Sequence, residues 1–463
     1  MSKTLSLLAA AMAMVITAAS CSVKDAIVRV ETPARPAGQE SALGMTVPPI
    51  DTVRVGFVGL GMRGEDAVVR FTYIPGIKIT ALCDVVPETL ERSQKNLVER
   101  GFPEAAGYTG SETSYEALCE REDVDLVYIC TDWKHHVPVA LYAMEHGKHV
   151  AIEVPAAQTM DEIWALINTS ERTRRHCIML ENCCYDFFEM SVLAIAQAGV
   201  FGEVVHAEGS YHHNLDPFWD AYWNNWRLDF NQSHRGDVYP THGLGPIAQV
   251  LNLHRGDRMK TLVAMDTKAV NGPKHVEAKT GQPCEEFLNG DVTMTIVRTE
   301  KGKSILIEHD VMTPRPYDRM YQIVGSEGYA AKYPMQTLCL REEALDGREP
   351  AYDKLGREKV IRGDELKALQ EQYPNPILTP ELEALAREVG GHGGMDFIMD
   401  YRLIYCLHNG LPLDMDVYDM AEWCCLGPLG WLSMENGCAP VEVPDFTRGG
   451  WDVVNGFSYA FAE

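Results

Sequence analysis

At 463 residues, 46% hydrophobic and 23% charged, the chain has an ordinary globular composition and enough length for two cored domains, which excludes a disordered or fibrous polymer. Its 41 basic and 66 acidic residues leave a formal charge of -25. That excess opposes nucleic acid and anionic lipid as partners for the body of the protein, so a neutral or cationic partner is expected.

Met1-Ser2-Lys3 and the apolar stretch 5–19 have the short positive region and apolar core of an export signal, too short to span a bilayer. Residues 1–20 are therefore read as a signal peptide. The stretch ends Ala18-Ala19-Ser20-Cys21, similar to a bacterial lipoprotein cleavage site with Ala18 where Leu is usual. On this reading the protein is exported to the periplasm or cell envelope as a lipoprotein anchored at Cys21, its only membrane contact; simple cleavage is the alternative. Residues 21–50, rich in Pro, Ala, Gly and Thr, are expected to form a tether.

Val53–Val58 reads as a strand, followed by Gly59-Leu60-Gly61-Met62-Arg63-Gly64, a helix from near Arg63, and an apolar run that Asp84 ends twenty residues after Gly64. In that order the unit predicts a bound dinucleotide: Gly59 permits the tight turn, Gly61 lets the backbone approach a pyrophosphate, and Gly64 lets helix and strand pack closely. The helix amino terminus then faces the phosphates. Asp84 can accept from both ribose hydroxyls of NAD but would repel the extra phosphate of NADP, and Val85 supplies no compensating charge, so NAD is expected. Downstream, helical patterns near 87–100, 115–121, 136–145 and 160–174 alternate with apolar runs at 124–130, 149–153 and 177–180. The alternation predicts a doubly wound parallel sheet, an NAD-binding Rossmann domain over residues 51–182.

Beyond it, 204–211, 292–299 and 304–310 have strand-like β-branched content, the last two joined by the turn Glu300-Lys301-Gly302. Helical patterns return near 380–387, 395–407 and 417–425, and 340–378 is charged and irregular. Residues 183–463 are read as an α+β substrate-binding domain with a mostly antiparallel sheet, giving an α/β chain overall, the second sheet forming a wall opposite the cofactor. Of thirteen cysteines, Cys83, Cys130, Cys177 and Cys406 lie in apolar patterns, and Cys183-Cys184 and Cys424-Cys425 are adjacent pairs without CxxC spacing. Mostly free thiols and no metal are expected. His135-His136 and His212-His213 lack a spaced third ligand, which favours structural or cofactor-lining roles.

The Rossmann unit, a strand ending Glu153-Val154-Pro155 and a largely antiparallel second domain together resemble the Gfo/Idh/MocA oxidoreductase superfamily. Its dehydrogenases usually carry Lys between the Glu and the Pro, where it helps move the hydroxyl proton; here the residue is Val154. More specifically, Thr131-Asp132-Trp133-Lys134-His135-His136, Asn225-Trp226-Arg227, His234-Arg235-Gly236-Asp237-Val238-Tyr239 with Thr241-His242-Gly243, and Met312-Thr313-Pro314-Arg315-Pro316-Tyr317 resemble glycoside hydrolase family 109, the NAD-dependent α-N-acetylgalactosaminidase-like branch. The resemblance implies that Met62, Arg63, Asp84, Trp133, Lys134, His135, His136, Glu153, Val154, Asn182 and Tyr239 meet NAD, while Tyr211, Arg227, Tyr239, His242 and Tyr321 line a sugar site. Tyr185 is a further candidate there.

Tyr239 and His242, three apart among glycines and Pro240, could share one face of a turn or helix start, or belong to a surface loop. Arg227 lies among Trp219, Tyr222, Trp223 and Trp226, compatible with sugar stacking beside a guanidinium and equally with aromatic core. The implied chemistry is a glycosidase acting on terminal α-linked N-acetylgalactosamine: a hydride leaves C3, C2 becomes acidic, the glycosidic oxygen is eliminated, water adds at C1 and the hydride returns. That departs from paired carboxylates, as NAD-dependent glycosidases do. His242 and Tyr239 are the candidate base and proton relay, in either order. A glycan bearing terminal N-acetylgalactosamine is the expected partner, and a homo-oligomer is compatible with the sequence. The rivals are a sugar or cyclitol dehydrogenase and a glycan-binding protein with a vestigial NAD site.

Overall fold

The computed structural model describes residues 27–341, 344 and 352–462. The expected signal peptide and Cys21 lie outside the described residues. Six strands, β1 (Val53–Val58), β2 (Ile77–Cys83), β3 (Ala106–Tyr108), β4 (Leu126–Ile129), β5 (His149–Ile152) and β6 (Cys177–Met179), form one parallel sheet in the order β3-β2-β1-β4-β5-β6. Helices α1 (Met62–Phe71), α2 (Pro87–Glu99), α3 (Tyr115–Cys119), α4 (Trp133–Glu145) and α5 (Met160–Thr173) make the crossovers. Strands β4 and β5 are buried along their whole length, as strands covered on both faces must be. The strand order reverses between β1 and β4, so the crevice opens at their carboxyl ends, beside the glycine loop.

After α6 (Phe187–Gln197) the chain builds an eight-stranded sheet from β7 (Val204–His212), β8 (Met259–Asp266), β9 (Thr293–Thr299), β10 (Ser304–Asp310), β11 (Gln322–Gly325), β12 (Gly328–Ala331), β13 (Thr337–Leu340) and β14 (Val441–Glu442). The order is β13-β12-β11-β7-β10-β9-β8-β14. Strands β7 and β10 pair in parallel and the other neighbours antiparallel. Strict burial alternation along β9 gives the sheet one covered face and one open face.

The covered face receives α8 (Thr241–Leu251), which follows α7 (Trp226–Ser233). A Cβ on Gly209 of β7 would lie 2.1 Å from the Gly243 carbonyl oxygen, so bare backbone on both sides sets how closely α8 sits on the strand. The remaining helices are α9 (Asn271–Thr280), α10 (Gly363–Gln372), α11 (Pro380–Val389), α12 (Met395–Asn409), α13 (Val417–Cys424) and α14 (Leu426–Glu435). Helix α12 returns to the first domain, where Asp400 accepts from Arg70 Nε at 2.9 Å and from the Tyr128 hydroxyl at 2.8 Å.

The expected tether at 21–50 needs correction over its described part. Residues 27–50 form a strap on the body: Ala42, Met45 and Val47 are buried, Arg35 pairs with Glu171 at 3.1 Å, and the Ala42 N–H donates to the Tyr418 hydroxyl. The apolar side chains find a surface to bury against, which a composition rich in Pro and Gly does not disclose. No helix among the described residues is long and apolar enough to cross a membrane.

Candidate functional site

The glycine loop has the geometry a pyrophosphate needs. Gly59 sits at φ +87° with its missing Cβ 2.5 Å from the Cys130 carbonyl group, and a Cβ on Gly64 would lie 1.8 Å from the Gly59 oxygen. Neither position tolerates a side chain. Gly61, in contrast, has nothing within 4 Å of its absent Cβ and lines an open cleft with Met62, Arg63, Asp84 and His135. Asp84 Oδ2 accepts from the Leu60 N–H at 2.5 Å and Oδ1 from the Val86 N–H at 2.8 Å, which holds the carboxylate at the strand end where ribose hydroxyls would lie. Helix α4 begins at the opposite lip. Asp132 caps it, accepting from the His135 N–H at 3.1 Å and meeting His135 Nδ1 at 2.5 Å, a pairing that raises the His135 pKa. These residues fit an NAD molecule.

Other residues expected at NAD lie beneath the cleft. Glu153 accepts from Arg63 Nε at 3.1 Å, Arg63 also binds Asp396 at 3.0 Å, and the Asn182 amide donates to the same Asp396 at 2.5 Å. This network brings the start of α12 against the glycine-loop helix. His136 is a correction: it is 1% exposed, with its two ring nitrogens 3.0 Å from the Pro155 and Thr131 carbonyl oxygens, so it braces two loops from below. The Lys134 side chain points to solvent. Val154 is buried, and its carbonyl accepts from Trp133 Nε1 at 3.2 Å.

Trp133 joins the cofactor half to an aromatic cluster, its ring 5.0 Å from Trp226 and 6.0 Å from Tyr239. In that cluster Tyr211 and Tyr239 stack at 4.4 Å, and the Arg227 guanidinium lies 4.9 to 6.0 Å from the rings of Trp133, Tyr211, Tyr222 and Tyr239. Its Nη1 donates to the Tyr222 hydroxyl at 2.6 Å, while the buried Nε has no partner. Burial opposes the guanidinium charge, and the tyrosines around it offset that penalty and raise its pKa. No carboxylate among the described residues pairs with it. A buried cation caged by rings and lacking an anion presents donors to whatever enters beside it.

Tyr239 ends the loop before α8 and His242 occupies its first turn, one face of a helix start. The Tyr239 hydroxyl lies 3.4 Å from His242 Nε2, and His242 Nδ1 lies 2.7 Å from Glu181 Oε1. Glu181 is fully buried. Burial would lift its carboxyl, but His242, Thr241 and the Cys183 N–H more than offset this and hold it below the usual carboxylate range. The Cys183 thiol is within 4.8 Å of the facing Glu181 and His242 atoms; Glu181 Oε1 meets His242, while its buried Oε2 has no hydrogen-bond partner among the described residues. Burial, Tyr211, Glu153 and Glu181 push the Tyr239 phenol up against the opposing pull of Arg227.

The structure thus brings Tyr211, Arg227, Tyr239 and His242 together, and leaves out two expected partners. Tyr185 gives its hydroxyl to Asp414 at 3.1 Å, and Tyr321 gives its hydroxyl to the Glu189 carbonyl at 3.3 Å with its ring against Phe188. Both are fully buried, and their hydroxyls are spent inside the body. Glu181, absent from the sequence reading, completes the line. It stands two residues past β6 at the carboxyl edge of the sheet, the position that singled out Glu153.

Residues 53–180 match the oxidoreductase family with an NAD-binding Rossmann fold, and residues 185–453 match the C-terminal domain of glycosyl hydrolase 109. The chain belongs to glycosyl hydrolase family 109. It is 63% identical over 437 residues to glycosyl hydrolase family 109 protein 1 of Bacteroides thetaiotaomicron, covering 94% of this chain and 93% of that one. Identity to the family 109 protein of Porphyromonas gingivalis is 61%, with the same coverage. Among solved structures, levoglucosan dehydrogenase with NADH and L-sorbose superposes with a TM-score of 0.63 at 16% identity, over 86% of this chain and all of the other. Scyllo-inositol dehydrogenase from Lactobacillus casei gives 0.59 at 15% identity, over 85% of this chain and 99% of the other. These distant likenesses establish the fold, and family 109 membership places a sugar-acting hydrolase on an NAD-binding oxidoreductase framework.

Proposed function

We propose that the protein hydrolyses terminal α-linked N-acetylgalactosamine by oxidation, elimination, addition and reduction, using NAD without consuming it, in an exported form anchored at Cys21. The carrying observation is the line Glu181–His242–Tyr239 beside Arg227, which has no carboxylate partner among the described residues, next to an NAD cleft whose strand end has Val154 in place of lysine. Gly61, Asp84 and the amino terminus of α1 would hold the dinucleotide. Bound NAD supplies a reversible two-electron oxidation of a sugar carbinol. The protein must then move protons. With Glu181 accepting from Nδ1–H, His242 keeps its basic lone pair on Nε2, facing the Tyr239 hydroxyl. This favours His242 as base and Tyr239 as relay: the phenol takes the sugar proton as it passes its own to Nε2. Arg227 offers its free donors to sugar or acetamide oxygens.

The test combines chromogenic α- and β-glycosides, with and without added NAD, in heavy water. Cleavage of the α-N-acetylgalactosaminide should require NAD, leave no net NADH and place deuterium at C2 of the product. Efficient cleavage by cofactor-free protein with hydrogen kept at C2 would refute the cycle. Lasting NADH accumulation would instead indicate a dehydrogenase, and glycan binding without turnover a vestigial site.

A further inference from the structure

Although Tyr211 and Tyr239 stack, their hydroxyls turn to different imidazoles. Tyr239 faces His242, whereas the Tyr211 hydroxyl lies 2.8 Å from His213 Nδ1. Residues two apart on a strand share a face, and His213, one residue past β7, presents its ring edge-on to Tyr211 at 5.5 Å. The two pairs differ in depth. Glu181 behind His242 is fully buried, but the His213 ring packs on Phe218 at 5.5 Å and Tyr317 at 5.1 Å, both 41% exposed, at the solvent rim. Burial, with Arg227 and His242 nearby, pushes the His213 pKa down to about 4, so the ring is neutral at neutral pH. When the phenol donates to Nδ1, a neutral imidazole carries its hydrogen on Nε2, and Nε2 has no partner among the described residues.

Resting on the cycle proposed above, we infer that Tyr211 and His213 are the acid–base pair for the aglycone side: they protonate the departing glycosidic oxygen and deprotonate the water that replaces it. In the elimination Tyr239 takes the C2 proton as it passes its own to His242 Nε2, the C2–H electron pair becomes the C1=C2 bond, and the C1–O pair leaves with the oxygen. The His213 Nε2 proton goes to that oxygen while the Tyr211 proton moves to Nδ1. Tyr211 is left as a phenolate with the Arg227 guanidinium 6.0 Å from its ring centre. In the addition, water bonds to C1, its second proton goes to His213 Nε2, the Nδ1 proton returns to Tyr211, and C2 regains a proton from Tyr239, which is reprotonated by His242. The His213 imidazole stays neutral throughout, and the pair is restored each turnover. The rim position suits this task because the aglycone, a glycan chain or protein, extends into solvent.

Rates of wild type, His213→Gln and Tyr211→Phe, each loaded with NAD, are compared on the 4-nitrophenyl and methyl α-glycosides of N-acetylgalactosamine. Nitrophenolate departs without a proton and methoxide does not. Each variant should therefore lose about a hundredfold more kcat/KM on the methyl glycoside than on the nitrophenyl glycoside. Retention of NAD reports the fold, and either folded variant decides the matter. Equal losses on the two substrates, with deuterium still appearing at C2 in the wild type, overturn the assignment alone. A wild type that places no deuterium at C2 overturns the cycle and this assignment with it.

Discussion

At the scale of single residues, the 2.7 Å bond from Glu181 to His242 orients the imidazole, and in the proposed cycle it would hold the proton on Nδ1 and stabilise the imidazolium formed when Nε2 accepts a proton. His242→Ala should lower turnover by about a hundredfold or more through loss of the base. Glu181→Gln, nearly isosteric, should cost a similar factor, because a neutral amide cannot offset the charge the base takes on during turnover. NAD should remain bound in both variants. Unchanged turnover in Glu181→Gln would mean that Glu181 only fills space. His242 and Tyr239 stood out through the family resemblance and their spacing of three, whereas Glu181 stood in an apolar context and acquired a role only when the start of α8 was packed against the turn after β6.

At the scale of elements, the site depends on how closely α8 approaches β7. A Cβ at Gly243 would meet the Ser210 nitrogen at 2.6 Å, and backbone cannot move aside as a flexible side chain can. Gly243→Ala should therefore cost about 1–3 kcal/mol in urea unfolding, a typical overpacking penalty. It should also lower turnover by displacing His242, and full activity with unchanged stability would show that α8 has room to slide. The Rossmann elements were readable because each is a long buried run or a strongly patterned helix. The short strands β11, β12 and β13, the helix α9 and the helix α10 inside the irregular stretch carry weaker local patterns, and tertiary pairing defines them.

Across the whole molecule, the C-terminal helices close back on the body through a buried charge cluster. His254, after α8, lies 3.1 Å from Glu422, 3.5 Å from Asp416 and 3.7 Å from Asp419, while Arg255 binds Asp419 at 2.7 Å. Burial and Arg255 oppose the His254 charge, but Asp419, Asp416 and Glu422 outweigh them and raise its pKa to about 10. A histidine whose folded pKa exceeds its unfolded value of about 6.5 adds stability that is full below that pH and is lost as pH rises through the folded value. Thermal melts of wild type and His254→Gln should therefore differ most near pH 6 and converge toward pH 10. A gap in melting temperature independent of pH would show that the cluster acts through packing alone.

Local order in the chain was sufficient for the Rossmann unit, the NAD preference argued from Asp84 and the mostly antiparallel second sheet, because each rests on residue spacing within one or two elements; the Tyr239 and His242 pair was singled out by the family resemblance. The tertiary structure decided what depends on distant contacts. It turned the strap at 27–50 from a tether into packed chain, moved Tyr185 and Tyr321 into the interior, set His136 beneath the cleft, and joined Glu181 to His242 across sixty residues of sequence. A side chain's chemistry follows from its type, but the partner that consumes or directs it is chosen by packing between elements, and that choice leaves no periodic trace in the sequence.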